Sequence, residues 1–345
     1  MPSDILDSFD RKIIYELDLN SRQPLSRLAK KLRMSPQRLD YRLKILEKKK
    51  IIIQYITIIN YRKLGSYNYY VCNLRTFGMG VAEEDAILKK LALDPKCTLL
   101  FKCEGRWDIM IGTVAKDIFE AKETFRRFLE PFKGKIEEKA IVMHIGTYHY
   151  GRRYLIEDSY LDNKISFGSD ANKDMYHVTG SSTNVVDYDE LDIKILGVLS
   201  SNARMPTIEI AKRLKSNAET IAYRIRELEK EKVISYYSIL MMPENYKYTF
   251  YRAYVKADRM TEEEELELAD YLKRFQNIFR LIYLFGAYEF AMDLVMDNTE
   301  RLRIIPSSLR EHYKNSTMRF EPSNITMIYK FAYFPTYVFN PHFTV

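Results

Sequence analysis

The sequence is poor in the residues that hold metal ions or cross-link a chain. It has 3 cysteines and 5 histidines in 345 residues. Cys72, Cys97 and Cys103 have no paired spacing, which argues against a disulfide framework and against a zinc site. We interpret them as reduced core residues of a cytoplasmic protein. The histidines are scattered, with no second ligand at helical spacing, so we expect neither a metal site nor a cofactor.

Long apolar runs are also missing. No run of ~18 uncharged apolar residues occurs, which predicts that the chain has no membrane span. The first residues lack the basic and apolar regions of a signal peptide. Hydrophobic residues still make up 46% of the chain, and a length of 345 residues suggests two or more domains with real cores.

The most informative feature is an internal repeat. Residues 7–52 align without gaps with residues 189–234, and 18 of the 46 positions are identical. The identical pairs include Asp7/Asp189, Asp10/Asp192, Lys12/Lys194, Asn20/Asn202, Arg22/Arg204, Pro24/Pro206, Ala29/Ala211, Tyr41/Tyr223, Arg42/Arg224 and Glu47/Glu229. The chain therefore contains two tandem copies of one module, and such a repeat governs the fold.

The repeated module is predicted to be a helix-turn-helix. Apolar residues at helical spacing predict a first helix over 9–19, a second over 25–32 and a third over 36–49. Ser35 is a favourable N-cap and is followed by proline at the first helical position. The β-branched run over 51–59 is typical of a strand or wing leading out of the helical unit. Three short helices with a tight turn before the third describe a helix-turn-helix.

The third helix of the first copy has a basic outer face. Leu39, Leu43 and Leu46 are spaced to face the core, at about 100° per residue. In a major groove, residues near the helix N-terminus reach base edges and later cations reach phosphates. A solvated helix also shows basic residues outward, but the turn, the cap and the repetition favour DNA. We predict DNA contacts from Ser35, Gln37, Arg38, Tyr41, Lys44 and Lys48.

The second copy keeps the apolar frame but has a weaker basic face. Residues 1–60 hold 13 Lys and Arg against 7 Asp and Glu, whereas residues 183–242 hold 9 of each. Glu219 stands where the first copy has Gln37, and a carboxylate there repels phosphate unless it accepts a hydrogen bond from cytosine. We expect this copy to bind DNA weakly, to read a different half-site or to contact protein. Its predicted DNA-contacting residues are Thr220, Tyr223, Arg224 and Arg226.

A second repeated pattern follows each helical module. Strand and helix signals over 68–150 and again over 249–334 have the order βαββαβ, which predicts two ferredoxin-like sheets in an α+β protein. Gly105 and Gly286 are 181 positions apart, so the repeat continues into the sheets. The predicted domains are a winged helix-turn-helix (1–62), a ferredoxin-like domain (63–154), a polar linker (155–186), a second winged helix-turn-helix (187–244) and a second ferredoxin-like domain (245–345).

These motifs resemble the leucine-responsive and asparagine-operon regulator family, Lrp/AsnC, over nearly the whole chain, twice. The motifs that carry the resemblance are Asp7-x-x-Asp10-x-x-Ile13, Asn20-Ser21-Arg22, Leu28-Ala29, Tyr41-Arg42-Leu43 with Leu46-Glu47, Tyr55 through Asn60 to Leu64-Gly65, and Gly105-x-x-Asp108. The resemblance implies a transcription regulator that binds double-stranded DNA through a winged helix-turn-helix. It also implies a ferredoxin-like effector domain of the RAM type, through which such proteins pair and beside which they bind amino acids.

The resemblance adds roles for particular residues. It implies that Arg42 contacts DNA together with the residues named above. It also implies that Gly105 and Asp108 border an effector pocket, with Gly286 and Glu289 as the corresponding loop of the second copy. Glu289 replaces the family's aspartate, which weakens the expectation of an effector there. The alternative is structural: a glycine for a tight turn and an acidic residue that caps it.

Fusion of two copies predicts a built-in pseudodimer, or half of a ring that forms a homodimer or higher oligomer through its sheet domains. A covalent link raises the effective concentration of the second head to about millimolar, so even a poor second head contributes to binding. Two departures from the family pattern are Lys50 and Lys232, which stand where the family usually has glycine.

Two other functions compete with a local regulator. One is an enzyme, siroheme decarboxylase, whose subunits resemble the same family. It would need histidines and arginines facing the sheet pocket, but the strand over 98–103 has none, and His144 and His149 lie on another strand. We therefore expect no enzyme. The other is an architectural protein that coats DNA, for which phosphate contacts alone would give a salt-dependent affinity without sequence preference.

Overall fold

The computed structural model describes residues 5–65, 67–157, 160, 184–314, 317–332, 334 and 335. Two three-helix units occupy the repeated segments. The first consists of α1 (Ser8–Leu19), α2 (Leu25–Lys31) and α3 (Pro36–Lys48). The second consists of α6 (Glu190–Ser201), α7 (Thr207–Leu214) and α8 (Ala218–Lys230). The three helices predicted for the first copy are confirmed, with ends shifted by no more than one residue.

Each unit begins with the same capping box. The Asp7 carboxylate accepts hydrogen bonds from the backbone N–H groups of Phe9 and Asp10, both at 2.9 Å, and Asp10 accepts in return from the Asp7 N–H. Asp189 and Asp192 repeat the arrangement in the second copy. These carboxylates satisfy N–H groups that the first turn of a helix leaves without partners. Identity between the copies at these positions is thus explained by helix initiation.

The predicted strand after each helical unit is present, and its partner is its counterpart from the other copy. β1 (Ile52–Ile59) and β6 (Ile234–Met241) form a two-stranded antiparallel sheet in which Thr57 lies opposite Tyr237. A 3-10 helix follows each strand, at Tyr61–Leu64 and Pro243–Tyr246.

The helical units pack on this shared strand pair in a crossed manner. Ile239 and Met241 of β6 belong to the core of the first unit, whereas Ile59 and Leu64 belong to the core of the second. Each unit therefore completes its core with residues that the other copy supplies.

The remaining elements form two halves with the chain order strand, helix, strand, strand, helix, strand. The first half comprises β2 (Asn68–Thr76), α4 (Val81–Ala92), β3 (Leu99–Gly105), β4 (Ile109–Ala115), α5 (Ile118–Leu129) and β5 (Ile136–His149). The second half comprises β7 (Thr249–Asp258), α9 (Glu262–Leu272), β8 (Ile278–Gly286), β9 (Phe290–Met296), α10 (Ile304–His312) and β10 (Thr317–Phe331). Short 3-10 helices lie at Glu130–Phe132, Arg153–Leu155 and Thr299–Arg303.

The two halves join edge to edge into one closed barrel. The strand order is β10-β3-β4-β2-β5-β8-β9-β7, with β10 pairing to β7 to close the ring. The halves meet where β5 pairs with β8 and where β10 pairs with β3. The predicted boundaries treat these strands as two separate domains. The strands form one barrel because β5 and β10, at 14 and 15 residues, are long enough to pair on both sides.

The three cysteines lie in the barrel core as free thiols. Burial raises the pKa of Cys72 and of Cys97 to about 12, so both stay protonated at neutral pH. Within the described ranges, no helix is long and apolar enough to cross a membrane. The predicted linker over 155–186 falls mostly outside the described residues.

Candidate nucleic-acid interface

The turn before α3 fixes how that helix projects from the first unit. Arg33 adopts a left-handed conformation with φ of 52°, and Lys215 does the same at the corresponding turn of the second unit. Ser35 then caps α3, because its hydroxyl accepts a hydrogen bond from the Arg38 N–H at 3.2 Å. The predicted cap is confirmed. The Ser35 hydroxyl is therefore engaged by the protein's own backbone.

The two faces of α3 differ as predicted. Leu39, Leu43 and Leu46 are at most 5% exposed, whereas Tyr41 is 67% exposed. The polar residues predicted to contact DNA are exposed with Tyr41 along one side of the helix: Gln37, Arg38, Lys44 and Lys48. The Lys44 ammonium lies 2.7 Å from the Asp40 carboxylate, an exposed pair that a phosphate can replace at little cost.

Arg42 points away from this face. Its guanidinium donates hydrogen bonds of 2.7 Å to the carboxylates of both Asp7 and Asp10. Burial opposes ionisation of Asp7, but backbone N–H groups of the first turn and Arg42 outweigh it and hold the pKa of Asp7 below its usual value. This arrangement gives Arg42 a structural task, holding α3 against the start of α1, and does not favour the role in DNA contact that the resemblance implied.

Arg224 has the same position in the second copy. It donates to Asp189 at 2.7 Å and to Asp192 at 3.1 Å. A signal for this role was present in the sequence, since both acids and the arginine are identical between the copies. Three matched identities on two helices indicate an ion-pair cluster that belongs to the framework of the unit.

Among the other predicted residues of the second copy, Tyr223 and Arg226 project outward from α8. Tyr223 is 55% exposed, and Arg226 is exposed one turn further along. The Thr220 N–H donates to the Asn217 side chain at 2.7 Å, which caps the helix. Glu219 is exposed beside these residues. The outer face of α8 thus combines one arginine with a carboxylate near the helix start.

Arg22, from the Asn20-Ser21-Arg22 motif, and its counterpart Arg204 hold the two heads together, a role that the motif alone did not predict. Arg22 donates to the carbonyl oxygens of Ala203 and Met205 at 2.5 and 3.0 Å. Arg204 donates in return to the Ser21 carbonyl at 2.6 Å. These reciprocal contacts relate the two units by approximate two-fold symmetry and fix how the outer faces of α3 and α8 are oriented.

Asp18 connects the first head to both the strand pair and the barrel. Its fully buried carboxylate accepts from the Ser238 hydroxyl at 2.6 Å and from the Arg152 N–H at 3.0 Å. It also contacts the Arg152 guanidinium and, at 3.1 Å, the His149 ring. Burial raises the carboxyl pKa, but Arg152 and His149 together hold the pKa of Asp18 well below its usual range. The second copy has Ser200 at this position.

The predicted effector loops lie at the junctions of the barrel. A Cβ at Gly105 would lie 2.8 Å from the Pro322 carbonyl oxygen, and one at Gly286 would lie 2.6 Å from the Ile141 carbonyl oxygen of β5. Asp108 accepts from the Thr76 N–H at 2.7 Å. Glu289 makes the equivalent contact with Ala257, also at 2.7 Å. All four residues therefore have structural tasks, which agrees with the alternative stated for them.

One histidine lies differently from the expectation that weighed against an enzyme. His144 does line a cavity, which lies between the barrel and the strand pair β1–β6, together with Arg252 and Arg280 from the second half. The sequence could not show this, because the cavity lies between residues of both halves. The His149 ring contacts the Asp18 carboxylate instead, and His149 is not among the residues that line this cavity.

Comparison with known proteins identifies the helical units. A model of the AsnC-type helix-turn-helix domain matches residues 6–47, and a model of winged helix-turn-helix DNA-binding domains matches residues 188–235. An uncharacterized HTH-type transcriptional regulator of Pyrococcus furiosus is 30% identical over 125 residues, which are 36% of this chain and 80% of the relative. The HTH-type transcriptional regulator LrpA of Pyrococcus horikoshii is 33% identical over 96 residues, 28% of this chain and 66% of the relative.

A solved structure of siroheme decarboxylase NirDL shares the fold along the whole chain. It has a TM-score of 0.55 and 13% sequence identity, covering 94% of this chain and 93% of that one. At this identity the likeness concerns the fold alone. The AsnC-type model agrees with the motifs of the first repeat, and the winged helix-turn-helix model matches the second. Together with the sequence relatives, these matches show that the chain belongs to the Lrp/AsnC family of DNA-binding transcription regulators.

Proposed function

We propose that the chain is a sequence-specific transcription regulator whose two heads act on DNA together as a pseudodimer within one chain. The observation that carries the proposal is the outer face of α3, which is open, polar and basic while its opposite face is sealed in the core. A helix with these properties suits a major groove. The reciprocal Arg22 and Arg204 contacts support a fixed geometry of the two heads.

Residues along α3 divide into two proposed roles. Gln37 and Arg38 lie in the first turn, where side chains reach base edges, and amide and guanidinium groups pair with adenine and guanine respectively. The Arg38 guanidinium lies 4.9 Å from the ring centre of Phe9, which limits its freedom before binding. Lys44 and Lys48 lie further along and are proposed to contact phosphates.

The second head is proposed to contribute less. Arg226 occupies the position of Lys44, but Glu219 occupies that of Gln37, and the negative charge faces the duplex. We propose that Tyr223 and Arg226 contact DNA and that Arg42 and Arg224 do not. We propose that the contacts between the heads hold α8 close to the same duplex, so that its weak intrinsic affinity still adds to the total.

We further propose that each barrel half is a ferredoxin-like effector domain. The first half has the sheet order β3-β4-β2-β5 and the second has β8-β9-β7-β10, both with all neighbouring strands antiparallel. Two helices alternate with the strands in each half. This topology supports an intramolecular equivalent of paired effector domains.

Selection of bound duplexes from genomic DNA, followed by fluorescence anisotropy on the full chain, tests the proposal. At fixed salt the selected duplex is expected to bind at least ~1,000-fold more tightly than a scrambled duplex of equal length. Equal affinity for both would contradict sequence-specific regulation and favour the architectural alternative. Absence of binding to every duplex at low salt would contradict DNA binding altogether.

The fold likeness to siroheme decarboxylase gives a second candidate, because His144, Arg252 and Arg280 line a cavity here. The cavity formed by the described residues has a volume of about 120 Å³. Sites for drug-sized ligands have volumes of about 300–1,000 Å³, and a tetrapyrrole is at least that large. The small volume of the cavity favours a transcription regulator over a siroheme-binding enzyme. Titration with siroheme decides directly, since a change in its absorption spectrum would support the enzyme.

A further inference from the structure

A cavity of about 120 Å³ lies between the barrel and the strand pair β1–β6. The first head contributes Ile58 of β1 and Arg62 of the following 3-10 helix, and the second contributes Tyr236 of β6. The barrel supplies His144, Arg252 and Arg280 from β5, β7 and β8. A ligand in this cavity would therefore touch the strands that carry both heads and the barrel at once.

The cavity wall has an excess of positive charge. Arg252 donates to both oxygens of Asp293, at 2.7 and 2.9 Å, and Arg280 lies 3.2 Å from the same carboxylate. One buried carboxylate is thus shared by two guanidinium groups, and Arg62 adds a third to the wall. None of the described residues lining the cavity is aspartate or glutamate.

Arg252 has an unsatisfied donor. It is 2% exposed, and its Nη1 has no hydrogen-bond partner among the described residues. A buried cationic donor without an acceptor is costly, and an anionic acceptor beside it is correspondingly favoured. Arg252 is one of the residues that line the cavity, so an anionic ligand suits its wall.

His144 contributes a neutral polar group. Burial lowers the pKa of its imidazole to about 3, and the nearby charges of Arg252 and Arg280 act in the same direction. At neutral pH the ring is therefore uncharged and available as a hydrogen-bond donor. It lies against Tyr69, with ring centres 4.9 Å apart, so the polar wall continues into an aromatic one.

The first half of the barrel shows that the fold does not require these charges. Arg252 and Asp293 are direct cross-strand partners, and the same pair of positions in the first half holds Val71 and Gly112. Leu99 stands in the register position of Arg280. Since burying ions costs several kcal/mol each, a charge cluster confined to one half points to a task other than folding.

We propose that this cavity binds a small organic monocarboxylate with an aromatic or branched apolar body. An engineered cavity of about 150 Å³ takes up benzene, so the volume suits a single ring or a short branched chain. The carboxylate lies against Arg252, and the apolar body lies against Ile58 and Tyr69. The ammonium group of a free amino acid would face arginines with no lining carboxylate, which selects against it.

Isothermal titration of the full chain at pH 7, without DNA, tests the site with benzoate and phenylacetate as probes. Benzyl alcohol and phenylalanine serve as neutral and zwitterionic controls. We expect one site per chain that binds a carboxylate at least tenfold more tightly than either control. The proposal would be overturned if neither carboxylate bound at a concentration of about 10 mM, which is well above a millimolar Kd. Equal binding of phenylalanine would also overturn it.

A matched variant guards against misfolding. Removal of Arg252 alone would leave Asp293 buried without its main partner, so we use R252V/R280L/D293G, which copies the apolar residues of the first half. This variant is expected to keep its circular dichroism spectrum and its DNA affinity while losing carboxylate binding at least tenfold. Unchanged carboxylate binding would overturn the proposal. Because the titration contains no DNA, a protein that fails to bind DNA can still support or contradict the site.

Discussion

The two helix-turn-helix heads have the same framework and different outer faces. Both begin with a capping box, and both anchor the third helix to it through an arginine, Arg42 in one and Arg224 in the other. Their exposed positions differ most where a duplex would be read, with Gln37 in the first head and Glu219 in the second. Much of the identity between the copies thus lies where the unit holds itself together, while the surface has diverged.

In the barrel, the second copy and not the first carries the distinctive charged residues. The first half fills the shared positions with apolar residues, whereas the second half carries the Arg252–Asp293 pair. The basic head thus belongs to one copy and the charged cavity cluster to the other. Separate identical subunits could not divide these features in this way, because both subunits would have the same sequence.

The largest expected effect is a loss of stability when the Asp18 carboxylate, which only the first copy has, is removed. Asp18→Ala leaves Arg152 and His149 in a buried site without their carboxylate, which costs about 3–5 kcal/mol of unfolding free energy. Ser200→Ala, at the same position of the second copy, is expected to cost under about 1 kcal/mol. Urea unfolding followed by circular dichroism measures both. Equal losses of unfolding free energy in the two variants would contradict the stabilising role assigned to Asp18.

Acid sharpens the same comparison. Because the folded pKa of Asp18 is depressed, its contribution is fully present above the unfolded value of about 3.9 and is lost as the pH falls below it. The native chain is therefore expected to be more stable than Asp18→Asn at about pH 6. This difference in unfolding free energy should shrink toward about pH 3, where free aspartate becomes protonated. A difference independent of pH would show that folding does not depress the pKa of Asp18, and a difference that grows as the pH falls would show that its carboxyl is protonated in the fold.

The next effect concerns base recognition in the first head. Arg38→Thr gives this head the residue of the second and is expected to weaken binding to the selected duplex by about 1–3 kcal/mol. Affinity for a scrambled duplex should fall much less, because a base contact is lost. Fluorescence anisotropy with both duplexes measures the ratio. A uniform loss on both would instead assign Arg38 to phosphate.

A smaller gain is expected when the second head is made to resemble the first. Glu219→Gln removes a carboxylate that would face the duplex in the proposed complex, and one charge contact in water is worth about 1 kcal/mol. Binding should strengthen by up to about fivefold. Gln37→Glu is the reciprocal control and should weaken it. If Glu219→Gln weakens binding instead, the carboxylate accepts a hydrogen bond from a base.

The smallest effect concerns a turn that both heads share. Lys50 and Lys232 have φ of 53° and 61°, a conformation that favours glycine. Lys50→Gly should stabilise the chain by roughly 0.5–1 kcal/mol by relieving this strain. Lys49→Gly is the control, since Lys49 has φ of −75° and no strain to relieve. Thermal unfolding of the two variants should shift in opposite directions.

Local spacing made the helical units predictable. The helix ends, the Ser35 cap and the two faces of α3 depend on residues a few positions apart, and periodicity contains that information. The order of strands and helices in each half could be predicted for the same reason.

Pairing across the two copies could not be predicted from such patterns. The choice of β6 as the partner of β1, and the closure of the barrel, depend on contacts between distant segments. The cavity was missed because its charges come from separate strands. One signal was available: Asp293 is an isolated acid within Phe290–Met296, a strand whose residues are otherwise apolar.

The salt dependence of DNA binding tests most directly whether α3 is the helix that enters the duplex. Affinity for the selected duplex should be measured by anisotropy between about 50 and 200 mM salt, where each phosphate contact contributes about −0.9 to the logarithmic slope. Lys48→Ala is expected to reduce the slope by about one contact, and Lys230→Ala, its counterpart on α8, by clearly less. Equal slopes for the native chain and Lys48→Ala, with a reduced slope for Lys230→Ala, would place the duplex on the other head.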